Sequence, residues 1–209
     1  FTVGPESAGA DPGPACYRKG GPLTVTDCNL FLGRIDPAFF PNVFGSDGNQ
    51  TLDPHASHNR LKEIADALPH PRSLEEIAEG FLDIAVDNMA NAIRKISVAR
   101  GHDVTTYALA CFGGAGGQHA CRVADALGME TVLVHPLAGI LSAYGIGLAP
   151  VKAIREVSLV RKLGESFAAE LADLEDQARQ ALLDQGIENS EIVLESHARL
   201  RFEGSDSLL

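Results

Sequence analysis

A chain of 209 residues with 45% hydrophobic and 22% charged residues is long enough to bury a core and ordinary in composition for a globular protein. Its formal net charge of -11 argues against a surface built for nucleic-acid phosphates or anionic lipid. No apolar run is long enough to span a bilayer and no charged-then-apolar leader is present, so neither a membrane nor a nucleic acid is an expected partner. The chain opens on Phe1 and closes on Ser207-Leu208-Leu209 just after an apparent strand, so it reads as a piece of a longer protein. Cys16, Cys28, Cys111 and Cys121 show no CxxC spacing, which fits a reducing, cytoplasmic setting with buried thiols as the default. Cys111, His119 and Cys121 lack a second ligand pair at metal-site spacing, so no metal site is expected in this segment.

In chain order, Phe1 to Gly21 is rich in Gly, Pro and Ala and can be neither helix nor central strand; its low charge predicts an ordered loop over a packed surface. Leu23-Thr24-Val25-Thr26-Asp27 offers Thr or Asp as caps for a short helix through Asn29, Leu30 and Leu32, stopped by Gly33. Asp36 to Pro54 reads as irregular connection anchored by Phe39, Phe40 and Phe44. A modest helix is predicted over Ala56 to Leu68. Ser73-Leu74-Glu75-Glu76 is a capping box opening a long helix toward Arg100. Its apolar stripe, Ile77, Phe81, Ile84, Ala85, Met89, Ala92, Ile93 and Ile96, is read as core packing.

The periodicity then switches. Tyr107 to Phe112 reads as a strand, Ala120 to Leu127 as a helix and Thr131 to Val134 as a second strand, the wiring of an α/β domain. A short helix over Leu141 to Ala149 follows. Val151 to Val160 is predicted as a strand, Ser166 to Gln185 as an amphipathic helix ending at Gly186, and Ile192 to Phe202 as a strand. These last elements are expected to begin a further α+β module.

Between the first strand and its helix lies Cys111-Phe112-Gly113-Gly114-Ala115-Gly116-Gly117-Gln118-His119-Ala120. Four glycines in five residues allow positive φ and let a ligand approach the main chain without a Cβ in the way. The helix N-terminus beyond them favours a negative group. The run is neither GxxxxGK[ST] nor GxGxxG. A nucleotide turn and a turn that lets helix and strand pack closely both remain open on the residues alone.

Three blocks resemble the hydantoinase A / 5-oxoprolinase family, its 5-oxoprolinase branch above all. They are Gly4-Pro5-Glu6-Ser7-Ala8-Gly9-Ala10-Asp11-Pro12-Gly13-Pro14-Ala15-Cys16-Tyr17 with Leu23-Thr24-Val25-Thr26-Asp27-Cys28-Asn29-Leu30 and Gly33-Arg34; Cys111 to Cys121; and Gly139-Ile140-Leu141-Ser142-Ala143-Tyr144-Gly145. The likeness runs from Val3 to about Val151, and Arg201 to Asp206 resembles the start of the family's C-terminal module. The resemblance implies residues 1–150 as a partial ATPase-like domain, the C-terminal part of an actin/sugar-kinase-like lobe, and 151–209 as linker and the truncated start of the next module. It implies ATP and Mg2+ as cofactors of the complete enzyme and ring opening of a cyclic amide such as 5-oxoproline or a hydantoin as its reaction. The family's acidic DxGGT phosphate turns have no counterpart in this chain, so catalytic residues are unassigned and the segment alone is expected to be inactive.

On the same resemblance, Gly113, Gly114, Gly116 and Gly117 would contact the nucleotide through their backbones. Gln118 and His119 are candidates for ribose or phosphate hydrogen bonds, with a structural histidine as the alternative for His119. Ser7 and Asp11 are candidates for substrate contact, while Thr26 and Asp27 are expected to cap. Expected partners are the small cyclic-amide substrate and the remaining domains or subunits of a homo- or hetero-oligomeric parent. The alternative function is a structural or assembly domain of a multi-subunit relative.

Overall fold

The computed structural model describes residues 2–205, which form two compact units, Phe1–Gly145 and Ile146–Leu209. Both helix and strand are present, the helices dominating. In the first unit they are α1 (Val25–Phe31), α2 (Pro54–Ala67), α3 (Leu74–Ala99), β1 (Ala108–Cys111), α4 (Ala120–Leu127) and β2 (Thr131–Val134). Helix α5 (Leu141–Leu148) runs across the division, and α6 (Ala168–Leu183) belongs to the second unit.

Helix α3 is the spine of the first unit. Ser73 and Glu76 close the expected capping box at its start. Ile77, Ala78 and Leu82 on its first half pack with Cys28 of α1 and Leu61 of α2. Val86 and Ala90 on its second half pack with Val123, Ala124 and Leu127 of α4 and with Met129. Two neighbours on adjoining sides turn the buried face toward Ala78, Leu82, Val86 and Ala90. Phe81, Met89 and Ile93 lie at its margin. Ala92 is exposed, and Ile96 is 60% exposed. The far end of the predicted stripe is therefore surface rather than core.

The Gly/Pro-rich N-terminal segment is held to α1 by one carboxylate. Asp27 has no accessible surface. Its Oδ1 accepts from the Cys16 amide at 2.8 Å and the Ser57 hydroxyl at 2.7 Å. Its Oδ2 accepts from the amides of Ala15 (3.1 Å) and Thr24 (2.9 Å) and from the Thr24 hydroxyl (2.8 Å). Thr24 and Asp27 form a capping box, so Asp27 does cap; the N-cap is Thr24, two residues before the Thr26 candidate. A buried carboxylate is tolerable because each oxygen is saturated by donors. Burial and the Asp27 charge push the Cys28 thiol up to about 12 and raise the Cys16 thiol still further, so both are inert small hydrophobes. Gly21 permits the fold of this loop, since a Cβ there would fall 1.8 Å from the Gly13 carbonyl oxygen.

Strands β1 and β2 pair in parallel, Ala108 opposite Thr131 and Cys111 opposite Val134, with α4 as the crossover. Gly128 stops α4 in the left-handed conformation at φ 70°. Only part of this small sheet is covered. Phe112, Leu133, Val134 and Ile140 are all more than half exposed.

In the second unit the helix expected from Ser166 to Gln185 forms as α6. The strands expected over Val151 to Val160 and Ile192 to Phe202 do not form among the described residues. Their apolar residues Val151, Ile154, Val157, Val193 and Phe202 stay exposed. A strand needs a partner and a covered face, and alternation alone supplies neither. Asp206, part of the predicted module start, lies outside the described residues.

Candidate functional site at the glycine turn

Strand β1 ends at Cys111, buried, and the chain then reverses through Phe112 to Ala115. Gly113 takes φ 92°, a conformation that disfavours any residue with a Cβ. Its amide donates to the Ala138 carbonyl at 2.8 Å, tying the turn to the loop after β2. A short 3-10 turn, Gly116–Gln118, leads into α4 with His119 as N-cap. The first amides of α4 have no partner inside the helix.

The four glycines do different jobs. A Cβ built on Gly113, Gly114 or Gly117 would meet nothing within 4 Å. One on Gly116 would lie 2.9 Å from Cys111 Sγ, so Gly116 serves close packing of turn on strand. Of the four, only Gly113 has positive φ. The need for positive φ, expected of the run as a whole, is thus confined to one position. The open space at Gly113, Gly114 and Gly117 is what a ligand approaching the main chain requires.

Gln118 and His119 are half-buried and share one partner from α1. Asn29, which has no accessible surface, donates its Nδ2 to Gln118 Oε1 at 2.8 Å and places it 3.5 Å from His119 Nε2. Asn29 Oδ1 and His119 Nδ1 are the buried side-chain atoms without a hydrogen-bond partner among the described residues. Burial, then the guanidinium charges of Arg122 and Arg34, hold the His119 pKa below the usual histidine value, so the ring is neutral near pH 7. Glu79 on α3 pairs with both arginines, at 2.6 Å to Arg34 and 3.1 Å to Arg122, and Asp83 pairs with Arg122 as well.

The other sequence candidates lie elsewhere. Ser7 is exposed and accepts from the Gly9 amide in a local turn at 3.1 Å. Asp11 is exposed and sits 3.3 Å from the Lys19 ammonium. Among the described residues no hydrogen bond or ion pair joins either to the glycine turn. Cys121 is exposed, unlike the other three thiols, because it sits on the outer side of α4 while Val123, Ala124 and Leu127 face the core. Asn29 is the residue that sequence reading missed. Its one signal is position, a polar side chain between Cys28 and Leu30 in a helix too short to carry a polar face of its own.

Comparison with known proteins decides the family. The hydantoinase/oxoprolinase family model matches residues 1–155. The chain belongs to the hydantoinase/oxoprolinase family. It is 45% identical over 218 aligned positions to 5-oxoprolinase of Saccharomyces cerevisiae, covering 100% of this chain and 17% of that protein. An ATP-dependent caprolactamase from Pseudomonas jessenii is similar in structure, with a TM-score of 0.59 and 36% identity over 88% of this chain and 26% of that one. A nucleotide-free acetone carboxylase shares the fold at a TM-score of 0.70 and 23% identity, covering 99% of this chain and 30% of that one. The chain thus spans about a sixth of the length of 5-oxoprolinases such as the yeast protein.

Gly113, Gly114 and Gly117 leave the main chain of the turn open, while Gln118 Oε1 and His119 Nε2 beside them are engaged by Asn29. Among the described residues there is no group of three or more His, Cys, Asp or Glu that could hold a metal. No described helix is long and apolar enough to cross a membrane.

Proposed function

We propose that this segment forms the adenosine-side wall of the ATP site in a cyclic-amide hydrolase of the 5-oxoprolinase kind. The observation that carries the reading is the turn itself, where three glycines leave the main chain open at the N-terminus of α4 beside Gln118 and His119. Family membership and 45% identity to a 5-oxoprolinase over the whole chain support the substrate class. The ATP-dependent caprolactamase, a relative in structure, supports the coupling to ATP.

In this reading ATP supplies a phosphoryl group to the amide oxygen, which makes an otherwise unreactive lactam a better electrophile. The residues of this segment bind and orient. Gly113, Gly114 and Gly117 admit the nucleotide to the backbone, Gly116 seats the turn against Cys111, and Gln118, beside neutral His119, offers hydrogen bonds. Magnesium and the acidic phosphate turns belong to the remainder of the parent. The segment would be part of an actin-like lobe in a cytoplasmic assembly of further domains or subunits. Ser7 and Asp11 remain proposed substrate contacts, to be completed by groups outside this chain.

A contact role favours the same surface from another side. Phe112, Leu133, Val134 and Ile140 expose apolar area beside a two-stranded parallel sheet, and parallel sheets are ordinarily covered on both faces. The remaining five-sixths of such a parent is the natural cover.

The test is turnover. The complete protein should release ring-opened product from 5-oxoproline or another lactam only with ATP and magnesium present, and residues 1–209 alone should release none. Ring opening without ATP, or turnover by the isolated segment, would overturn the reading.

A further inference from the structure

Helix α1 and the glycine turn lie some ninety positions apart in sequence, yet one side chain joins them. Asn29 is fully buried, where a leucine would pack without the cost of taking an amide out of water. Its hydrogen-bonding partners are two side chains of the turn, Gln118 Oε1 at 2.8 Å and His119 Nε2 at 3.5 Å. An amide nitrogen carries two hydrogens, so one Asn29 can hold both neighbours at once. With that nitrogen donating, His119 Nε2 is the acceptor and the ring proton sits on Nδ1.

We propose that Asn29 is a positioning residue of the glycine turn, its amide fixing the Gln118 side chain and holding His119 beside it as the Nδ1-protonated tautomer, so that Gln118 meets the ligand in one set orientation. The proposal rests on the nucleotide reading of the turn. A role confined to packing would not need two bonds to side chains on the rim of an open backbone. It would also not leave Asn29 Oδ1 and His119 Nδ1 unpartnered at the same junction.

The charges around His119 set what a change at Asn29 does. Arg122 on α4 and Arg34 after α1 face the imidazole and favour its neutral form. Glu79 and Asp83 on α3 are paired with those arginines. An aspartate at position 29 would put a carboxylate beside Nε2 and favour the imidazolium instead.

The experiment uses the complete protein, with kcat and KM measured separately for ATP and for the lactam between pH 5.5 and 9. Asn29→Leu is expected to raise the KM for ATP about tenfold with the lactam KM unchanged. Asn29→Asp is expected to move the acid limb of kcat/KM for ATP upward by about one pH unit. Gln118→Leu, at a half-buried turn position, should mimic Asn29→Leu, and the double variant should lose little more than the worse single one. If Asn29→Leu does not fold, Asn29→Asp and Gln118→Leu decide between the outcomes. Folded variants with wild-type ATP KM, wild-type lactam KM and an unmoved acid limb would overturn the proposal, as would strict additivity. A loss confined to the lactam KM, with the acid limb shifted, would keep Asn29 as the positioning residue and overturn the nucleotide reading instead.

Discussion

Asp27→Ala is expected to cost about 3–5 kcal/mol of stability, a large share of the ~5–15 kcal/mol of a typical domain. The substitution removes a carboxylate that accepts five hydrogen bonds, from Ala15, Cys16, Thr24 (amide and hydroxyl) and Ser57. Cys16 N–H and the Ser57 hydroxyl are left facing a cavity, and α1 loses its capping box. Asp27→Asn should cost nearly as much. Both oxygens act only as acceptors, so an amide keeps one set of bonds and turns its NH2 group against the donors of the other. Denaturant unfolding of the segment measures the loss. Alkylation provides a second readout, because Cys16 and Cys28 are buried with raised pKa values and should label in the variant only. A midpoint equal to wild type with both thiols still protected would contradict this account of the N-terminal loop.

Gly114→Val in the complete protein should weaken ATP binding by about tenfold or more while leaving the unfolding midpoint close to wild type. Position 114 has no positive φ to violate and no neighbour within 4 Å of a new Cβ, so the branch fills only the space a ligand would occupy. Its neighbours serve as controls. Gly116→Val drives a Cβ to 2.9 Å from Cys111 Sγ and should destabilise the strand–turn contact by about 1–3 kcal/mol. Gly113→Val meets a φ of 92° and should cost a similar amount in backbone strain. If Gly114→Val changes neither ATP affinity nor turnover, the turn is a packing device and the nucleotide lies elsewhere.

The elements whose signals were local were legible in the sequence. The Ser73–Glu76 box, the strand–helix–strand pattern of β1, α4 and β2, and the stops at Gly33 and Gly186 each rest on a few adjacent residues, and each appears. What depended on distant partners was not. The strands expected at Val151 to Val160 and Ile192 to Phe202 needed a neighbouring strand and a covered face, and no strand forms over either stretch among the described residues. The buried face of α3 was turned by two helices whose positions no periodicity encodes. At the site, the glycine run was visible, but its division of labour was not, since Gly116 answers to a sulfur five residues away and Gly114 to open space. Asn29 was invisible as a functional residue for the same reason. Its partners lie across the fold, and only the packed structure brings α1 beneath the N-terminus of α4.

In the proposed site ATP docks on the backbone of the Phe112–His119 turn. Hydrogen exchange of the complete protein, read amide by amide with and without saturating non-hydrolysable ATP analogue, tests it most directly. Exchange should slow at residues 113–119 on adding the analogue, while lactam alone should leave those amides unchanged. Exchange at 113–119 unaffected by the analogue, with protection appearing elsewhere in the protein, would contradict it.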